Sequence, residues 1–408
     1  MAIENTKALL SLPAGFKINE ILPLHPAGTP APAPAPAPTL GIALSHFTGT
    51  FTGTGFNTIF RPNSAAPTTT TFANPISPPA PNPPSENVLE LNLTQETLSF
   101  TSSLGNVPNR GLESQNDIFL NGVPYAQAVS DVTNPATGKG DATPTAIHFE
   151  PGLWMRVPAT KNTPNLAASL VRMGSIPHGT TINAACLEPT AATPGAPNIP
   201  AVSITPFIIG SSPPSLIHFV SQTLTNNNTP RIPQDLTHFN TQGTITQAIL
   251  NDPNTVLRNA IAGQTILNTI TFTVSTQPAT PEFGGGTDNI AFLLGNAAGT
   301  AANANAVRMN ATFWIEEVEH KIVVPIFKPG QPPLKIPAPV TRPGLPTPVF
   351  NVEPPREITA PITITVVSTQ IQYSQVVFLN FAGLTWPHVS VATLVPTEEL
   401  PVPPSAWA

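Results

Sequence analysis

Near its C-terminus the chain reads Leu384-Thr-Trp-Pro-His-Val-Ser-Val-Ala-Thr-Leu394, a histidine heading a run of alternating apolar and small polar residues. Strand side chains alternate with a period of two, so His388, Ser390, Ala392 and Leu394 share one face and Val389, Val391 and Thr393 the other. Pro387 cannot donate to a ladder and fits the first position of such a strand. An imidazole held there on rigid backbone can ligate a metal; it can equally hydrogen-bond a loop carbonyl. Two more histidines have the chemistry of a proton acceptor: His148, in a strand-like run, and His178, in Ile176-Pro-His-Gly-Thr-Thr, which also reads as a turn. Arg172 and Arg156 are candidate cations for a developing negative charge. His46, His218 and His238 read better as surface or packing residues, and His320, after Glu316, Glu317 and Glu319, as part of a solvated acidic turn.

The composition narrows the chemistry. Lys, Arg, Asp and Glu make up 9% of 408 residues, against roughly 25% in an average soluble domain. A formal charge of -6 with no basic run argues against nucleic-acid or anionic-membrane partners, which require clustered Lys and Arg. Cys186 is the only cysteine, so thiolate zinc sites and iron–sulfur clusters are excluded and a metal would have to be held by histidine. There is no GxSxG, phosphate loop or HExxH, hence no support for hydrolase or nucleotide chemistry. No signal-peptide core or bilayer-length apolar stretch is evident, so the expected location is cytoplasmic. A homo-oligomer is left open.

The elements that must position these residues are strands. Residues 1–38 form an N-terminal arm, with a short helix expected at Asn5 to Ser11 and a Pro/Ala polyproline spacer. Residues 39–186 alternate repeatedly and are interrupted by turn residues, the pattern of an antiparallel barrel or sandwich. Gly49, Gly53 and Gly55 in the first strand mark a bend or close backbone approach. Residues 62–87 are a Pro/Thr/Ser loop. Residues 187–264 break the alternation and read as an insertion with short helices, at Pro214 to Leu224 and at Asp252 to Gly263, the latter with Asp at the N-cap. Strands resume over 265–324, including Asn289 to Leu294. A Pro-rich connection spans 325–361, closing strands 362–396, and a tail 397–408. The expected fold is all-β: one closed antiparallel lipocalin-like barrel with a partly helical central insertion and Pro-rich surface arms.

Three stretches together resemble the nitrobindin-like haem-binding β-barrels, relatives of the lipocalins: Gly49-Thr-Phe-Thr-Gly-Thr-Gly55, His148-Phe-Glu-Pro-Gly-Leu-Trp-Met-Arg156 and Trp386-Pro-His-Val-Ser-Val-Ala-Thr-Leu394. The family usually has Trp where this chain has Phe51. The resemblance covers residues 40 to 186 and 290 to 395 and implies haem b as cofactor, with His388 as proximal iron ligand and His148 near the distal face. It extends more faintly to a larger peroxidase-like branch. On that reading the ligand is a peroxide, a diatomic gas or a small-molecule substrate, His148 or His178 is the distal base, Arg172 the assisting cation, and Trp386 a shield for the proximal ring. For Tyr125, Tyr373, Trp154 and Trp386, packing is the default role. Three functions compete: a haem oxidoreductase of peroxidase type, a binder or scavenger of nitric oxide or peroxynitrite, and a haem-free protein, either a lipocalin-like carrier of an apolar ligand or a Pro/Thr-rich structural protein.

Overall fold

The computed structural model describes residues 38–61, 88–112, 115–161, 165–227, 229, 231–294, 304–342 and 344–407. The expected N-terminal helix, most of the Pro/Ala spacer and the loop 62–87 lie outside these residues. Among the described residues, ten antiparallel strands close into a barrel. They are β1 (Gly49–Arg61), β2 (Val88–Phe100), β3 (Ile118–Asp131), β4 (Thr145–Val157), β5 (Ser169–Ile176), β6 (Thr180–Leu187), β7 (Thr265–Ser275), β8 (Asn305–Val324), β9 (Ile362–Phe381) and β10 (Leu384–Pro396). Each strand pairs with the next in sequence, and β10 closes on β1 with Gly53 opposite Leu394 and Thr58 opposite Val389. A Cβ on Gly53 would lie 1.9 Å from the Thr393 carbonyl oxygen, and one on Gly55 2.2 Å from that of Val391. The glycines of the first strand thus admit the close approach by which the barrel closes.

One seam is thin. β6 and β7 share the single pair Ala185–Ser275, and beside it the segment Gly286–Asn289 pairs with β6. Asn289 stitches this gap, accepting from Thr180 Oγ1 (2.7 Å) and donating to the Ala306 carbonyl on β8 (2.8 Å).

The barrel interior is divided along its length. One half is filled by aromatic residues: Phe47 stacks on Phe100 at 4.6 Å, and Trp154 meets Phe313 at 5.2 Å edge-on. A helical turn, Gly41–Leu44, stands where the sequence reads as strand, and it buries Ala43 and Leu44 against this cluster. The other half, toward the β9–β10 hairpin, is hollow. That hairpin turns through Ala382 and Gly383, both at positive φ (49° and 74°), as a two-residue turn requires. β10 therefore begins at Leu384, and Pro387 sits within it.

The insertion lies on the outer wall. Phe239, Ile249, Leu250 and Leu257 pack against Phe56, Leu89, Leu91, Trp314, Val389 and Val391, so β1, β2 and β10 are covered on both faces. Its helices are Thr237–Gln242, Gln247–Asn251 and Thr255–Ile261. The last begins at Thr255 rather than at Asp252: the Asp252 carboxylate accepts from Asn254 N, Val202 N and Arg258, but Thr255 N and Val256 N bond carbonyls three residues back, so the first turn is not α-helical. The helix expected from Pro214 to Leu224 is absent. Phe207 bridges Leu216 and Ile217 N donates to the Pro206 carbonyl (2.8 Å), which leaves one 3-10 turn at Val220–Gln222. Of the stretch Asn289 to Leu294, expected as a strand, only Asn289 belongs to one, as the end of Gly286–Asn289, and Ala291–Leu294 is a short helix. The supposed connection and tail form a small three-stranded sheet, Leu334–Pro337, Val349–Val352 and Leu400–Pro401. Phe327, Phe350 and Ile358 pack there on the ends of β8 and β9, which explains why those strands reach 20 residues each.

Candidate functional site

The hollow half of the barrel holds a cavity of about 410 Å³, within the range of small-molecule and cofactor sites. His148, His178 and His388, up to 240 residues apart in sequence (388 less 148), all line it, with Asn57, Asn92, Gln127, Tyr373, Gln375 and Ser390 as polar neighbours and Ile59, Val129, Ile176, Val377 and Leu379 as apolar ones.

His388 is placed by the strand ladder. The β1–β10 register ends at Thr58–Val389, and the Thr58 carbonyl lies 3.1 Å from the His388 Nδ1. A carbonyl can only accept, so Nδ1 carries the proton and Nε2 keeps its lone pair. Burial lowers the pKa of this ring to about 4, outweighing the hydrogen bond to Thr58. At neutral pH His388 is an uncharged imidazole with one available nitrogen.

His148 and His178 arrive by different devices. In the β3–β4 ladder Val129 faces His148 and Ser130 faces Ala146, so Ile147 is an extra residue. This bulge lets the consecutive residues Ile147 and His148 both reach the cavity. His178 sits in the β5–β6 turn, closed by Gly179 N to Ile176 O (3.0 Å), and is a turn residue and a cavity residue at once. Its ring centroid lies 5.8 Å from that of His148, and burial, then His148, lower its pKa.

Below the cavity lies a buried polar layer. His148 Nε2 is 3.4 Å from Glu150 Oε2. Arg172 donates to Glu150 Oε1 (2.8 Å), to the Tyr125 hydroxyl (2.9 Å) and to Gln375 Oε1 (2.7 Å), while Tyr125 donates to Glu150. Burial opposes ionisation of Glu150, but the Arg172 charge and the hydrogen bonds from His148 and Tyr125 bring its pKa down to about 2. A second cluster differs: Glu96 accepts from Tyr373 (2.5 Å), Thr94 (2.9 Å) and Gln127 (3.3 Å). Among the described residues no Arg or Lys pairs with it, and burial raises its pKa, the hydrogen bonds and the more distant His148 offsetting only part. Two carboxyls in one layer are thus pushed apart by their surroundings.

Two expected roles change. Arg172 is not a free cation facing a ligand, since its donors are committed to Glu150, Tyr125 and Gln375. Trp386 is not part of the cavity wall: its Nε1 donates to the Phe381 carbonyl (2.9 Å), and its ring packs on Phe60, Phe219 and Phe381 beneath the insertion. Arg156 pairs with Glu188 (2.6 Å) away from the cavity. His46 shares a shallow pocket with Glu317 among other residues. His218 and His238 are exposed, as expected. His320 belongs to no solvated turn; it is part-buried on β8, 2.8 Å from Ser368 Oγ, and burial takes its pKa to about 4. Sequence reading passed over Glu150, Glu96, Asn57, Asn92, Gln127 and Gln375, although Glu150 stands two residues after His148. On a strand, that spacing places both on one face.

Among the described residues, no three His, Cys, Asp or Glu side chains are placed to hold a metal ion between them. A single neutral imidazole on a rigid strand could give one ligand to a metal that brings its others with it, or accept a hydrogen bond from a bound molecule. The molecule is thus defined as a closed ten-stranded β-barrel with a histidine-lined internal cavity. In comparisons with protein-family models, curated proteins and solved structures, nothing matches the chain.

Proposed function

We propose that this barrel is a haem-binding protein, with His388 Nε2 as the protein's ligand to iron and with oxidoreductase chemistry of peroxidase type. The observation that carries this reading is the state of His388: neutral, with Nδ1 committed to Thr58 and Nε2 the one nitrogen left to bind, in a cavity of about 410 Å³. Haem bound there would supply the redox chemistry with peroxide. The chain's own part is to exclude bulk water and to handle the proton. His178, kept neutral by burial, and His148, close to an ionised Glu150, are the groups able to take a proton from a peroxide oxygen and return it to the departing one. Arg172 acts one step back, by holding Glu150 charged. Binding of nitric oxide or peroxynitrite without turnover would use the same ligand and is separated by assay for peroxide-dependent oxidation of a phenolic dye.

A second reading, a haem-free carrier of a small polar ligand, is favoured by the amide-rich wall. There Asn57 Nδ2 donates to Ser390 Oγ (2.7 Å) and Asn92 Nδ2 to Asn57 Oδ1 (3.4 Å). Haemin titration decides: a Soret band saturating at one equivalent supports haem, and absence of saturable binding in folded protein rejects it in favour of the carrier.

A further inference from the structure

We propose that Glu150 is the positioning residue for His148, and that the two form the proton-accepting pair of the cavity, with His148 fixed as its Nε2–H tautomer and Nδ1 as the acceptor. The two oxygens of Glu150 are divided between tasks. Oε1 takes the hydrogen bonds from Tyr125 and from Arg172 Nη2, while Oε2 lies 3.4 Å from the imidazole. An ionised carboxylate only accepts, so the nitrogen facing it must carry the proton.

The carboxylate cannot swing away. Arg172 is itself anchored by Gln375 and Tyr125, and β5 is cut back beneath the cluster, where a Cβ on Gly174 would come within 2.5 Å of Glu150 Oε1. The charged or titratable groups around His148 are Glu150 on its own strand, His178 in the β5–β6 turn, Arg172 on β5, Glu96 on β2 and His388 on β10, and across the cavity Arg61 on β1 paired with Glu90 on β2, and Tyr373 on β9. Of these, Glu150 and Arg172 are an ion pair, so the carboxylate is present across the neutral range. The His148 side chain keeps 17% of its surface accessible, against none for Glu150; the imidazole meets the ligand and the carboxylate stands behind it. A buried carboxylate that fixes the tautomer of a catalytic imidazole and steadies its protonated form is a recurrent device in proton transfer. The use of this pair on a peroxide rests on the haem reading above; the pair itself does not.

The test begins with haem-free wild-type protein carrying 15N-labelled histidine, observed at pH 8 through two-bond 1H–15N correlations. His148 is expected as the Nε2–H tautomer and His388, in the same spectrum, as Nδ1–H. A His148 found as Nδ1–H, or as a freely averaging mixture, overturns the proposal, and this arm needs no variant to fold. In haem-loaded Glu150→Gln, Nε2–H is expected to be lost from His148. The rate of reaction with hydrogen peroxide should then fall about tenfold or more, part of the ~10²–10⁴ that a general base contributes, with a displaced pH profile and unchanged haem affinity. A rate within twofold of wild type with an unshifted profile overturns it. If haem does not bind at all, the function proposed above fails while the tautomer measurement still judges this pair.

Discussion

Glu316 offers a test of the barrel's outer wall that is independent of any ligand. It stands on β8 with no exposed surface; its Oε2 accepts from Gln370 Nε2 at 2.5 Å, and its Oε1 has no partner. Burial raises its pKa from 4.5 to about 8, the Gln370 hydrogen bond offsetting only part. The sign follows from proton binding: between pH 4.5 and 8 the folded chain holds a proton that the unfolded chain has released. Stability from this group is therefore full below pH 4.5 and is lost as pH rises toward 8. At ~1.4 kcal/mol per pH unit, the full window is worth about 5 kcal/mol, and the interval from pH 5 to 7 about 3. Glu316→Gln is an uncharged near-isostere and lacks this dependence. Other titrating groups, such as His320 and His388, are common to both proteins and cancel in the difference. Urea unfolding of both at pH 5, 6, 7 and 8 should show wild type losing about 3 kcal/mol relative to the variant between pH 5 and 7. Parallel stability profiles would refute a buried, neutral Glu316.

Further expectations concern the insertion, the polar layer and the imidazole. Arg231 is fully buried and donates to six carbonyls, those of Ser221, Thr223, Leu224, Asn226, Pro233 and Gln234. Arg231→Met should cost roughly 3–5 kcal/mol and open residues 220–235 to proteolysis before the barrel; cleavage kinetics matching wild type would count against this. Gly174→Ala forces a Cβ onto Glu150 Oε1 and should lower stability by about 1–3 kcal/mol, whereas an unchanged thermal midpoint would mean that the layer has room to give. The His388 ring should titrate near pH 4 in haem-free protein, so its C2–H NMR shift should be flat from pH 8 to 5.5; a midpoint near 6.5 contradicts the assigned burial.

The barrel was readable because short alternating runs at regular spacing leave few other ways to bury one face of each strand. The His388 run is an example: His388 and Ser390 line the cavity while Val389 and Val391 pack outward. What alternation cannot tell is which face is inside when both are covered. On β2, Leu89, Leu91 and Leu93 form the apolar stripe a reader would assign to the interior, yet they lie outside beneath the insertion, and Glu90 and Asn92 line the cavity. The same inversion hid the buried layer, since Glu96, Glu150 and Arg172 look like surface residues until closure brings them together. The connection 325–361 was missed for another reason. Its prolines permit short strands whose partners, the tail and the ends of β8 and β9, are distant in sequence. Two of the three resembling stretches carry His148 and His388, and His178 stands in a separate turn; their meeting in one cavity is a property of the closed meander.

The most direct test of the central claim is haemin titration of wild type and His388→Ala, followed at the Soret band, with and without free imidazole. Wild type should saturate at one equivalent with the spectrum of an imidazole-ligated iron; the variant should bind at least tenfold more weakly with an altered spectrum, and free imidazole should restore the wild-type band. An identical spectrum and affinity in His388→Ala would contradict the account.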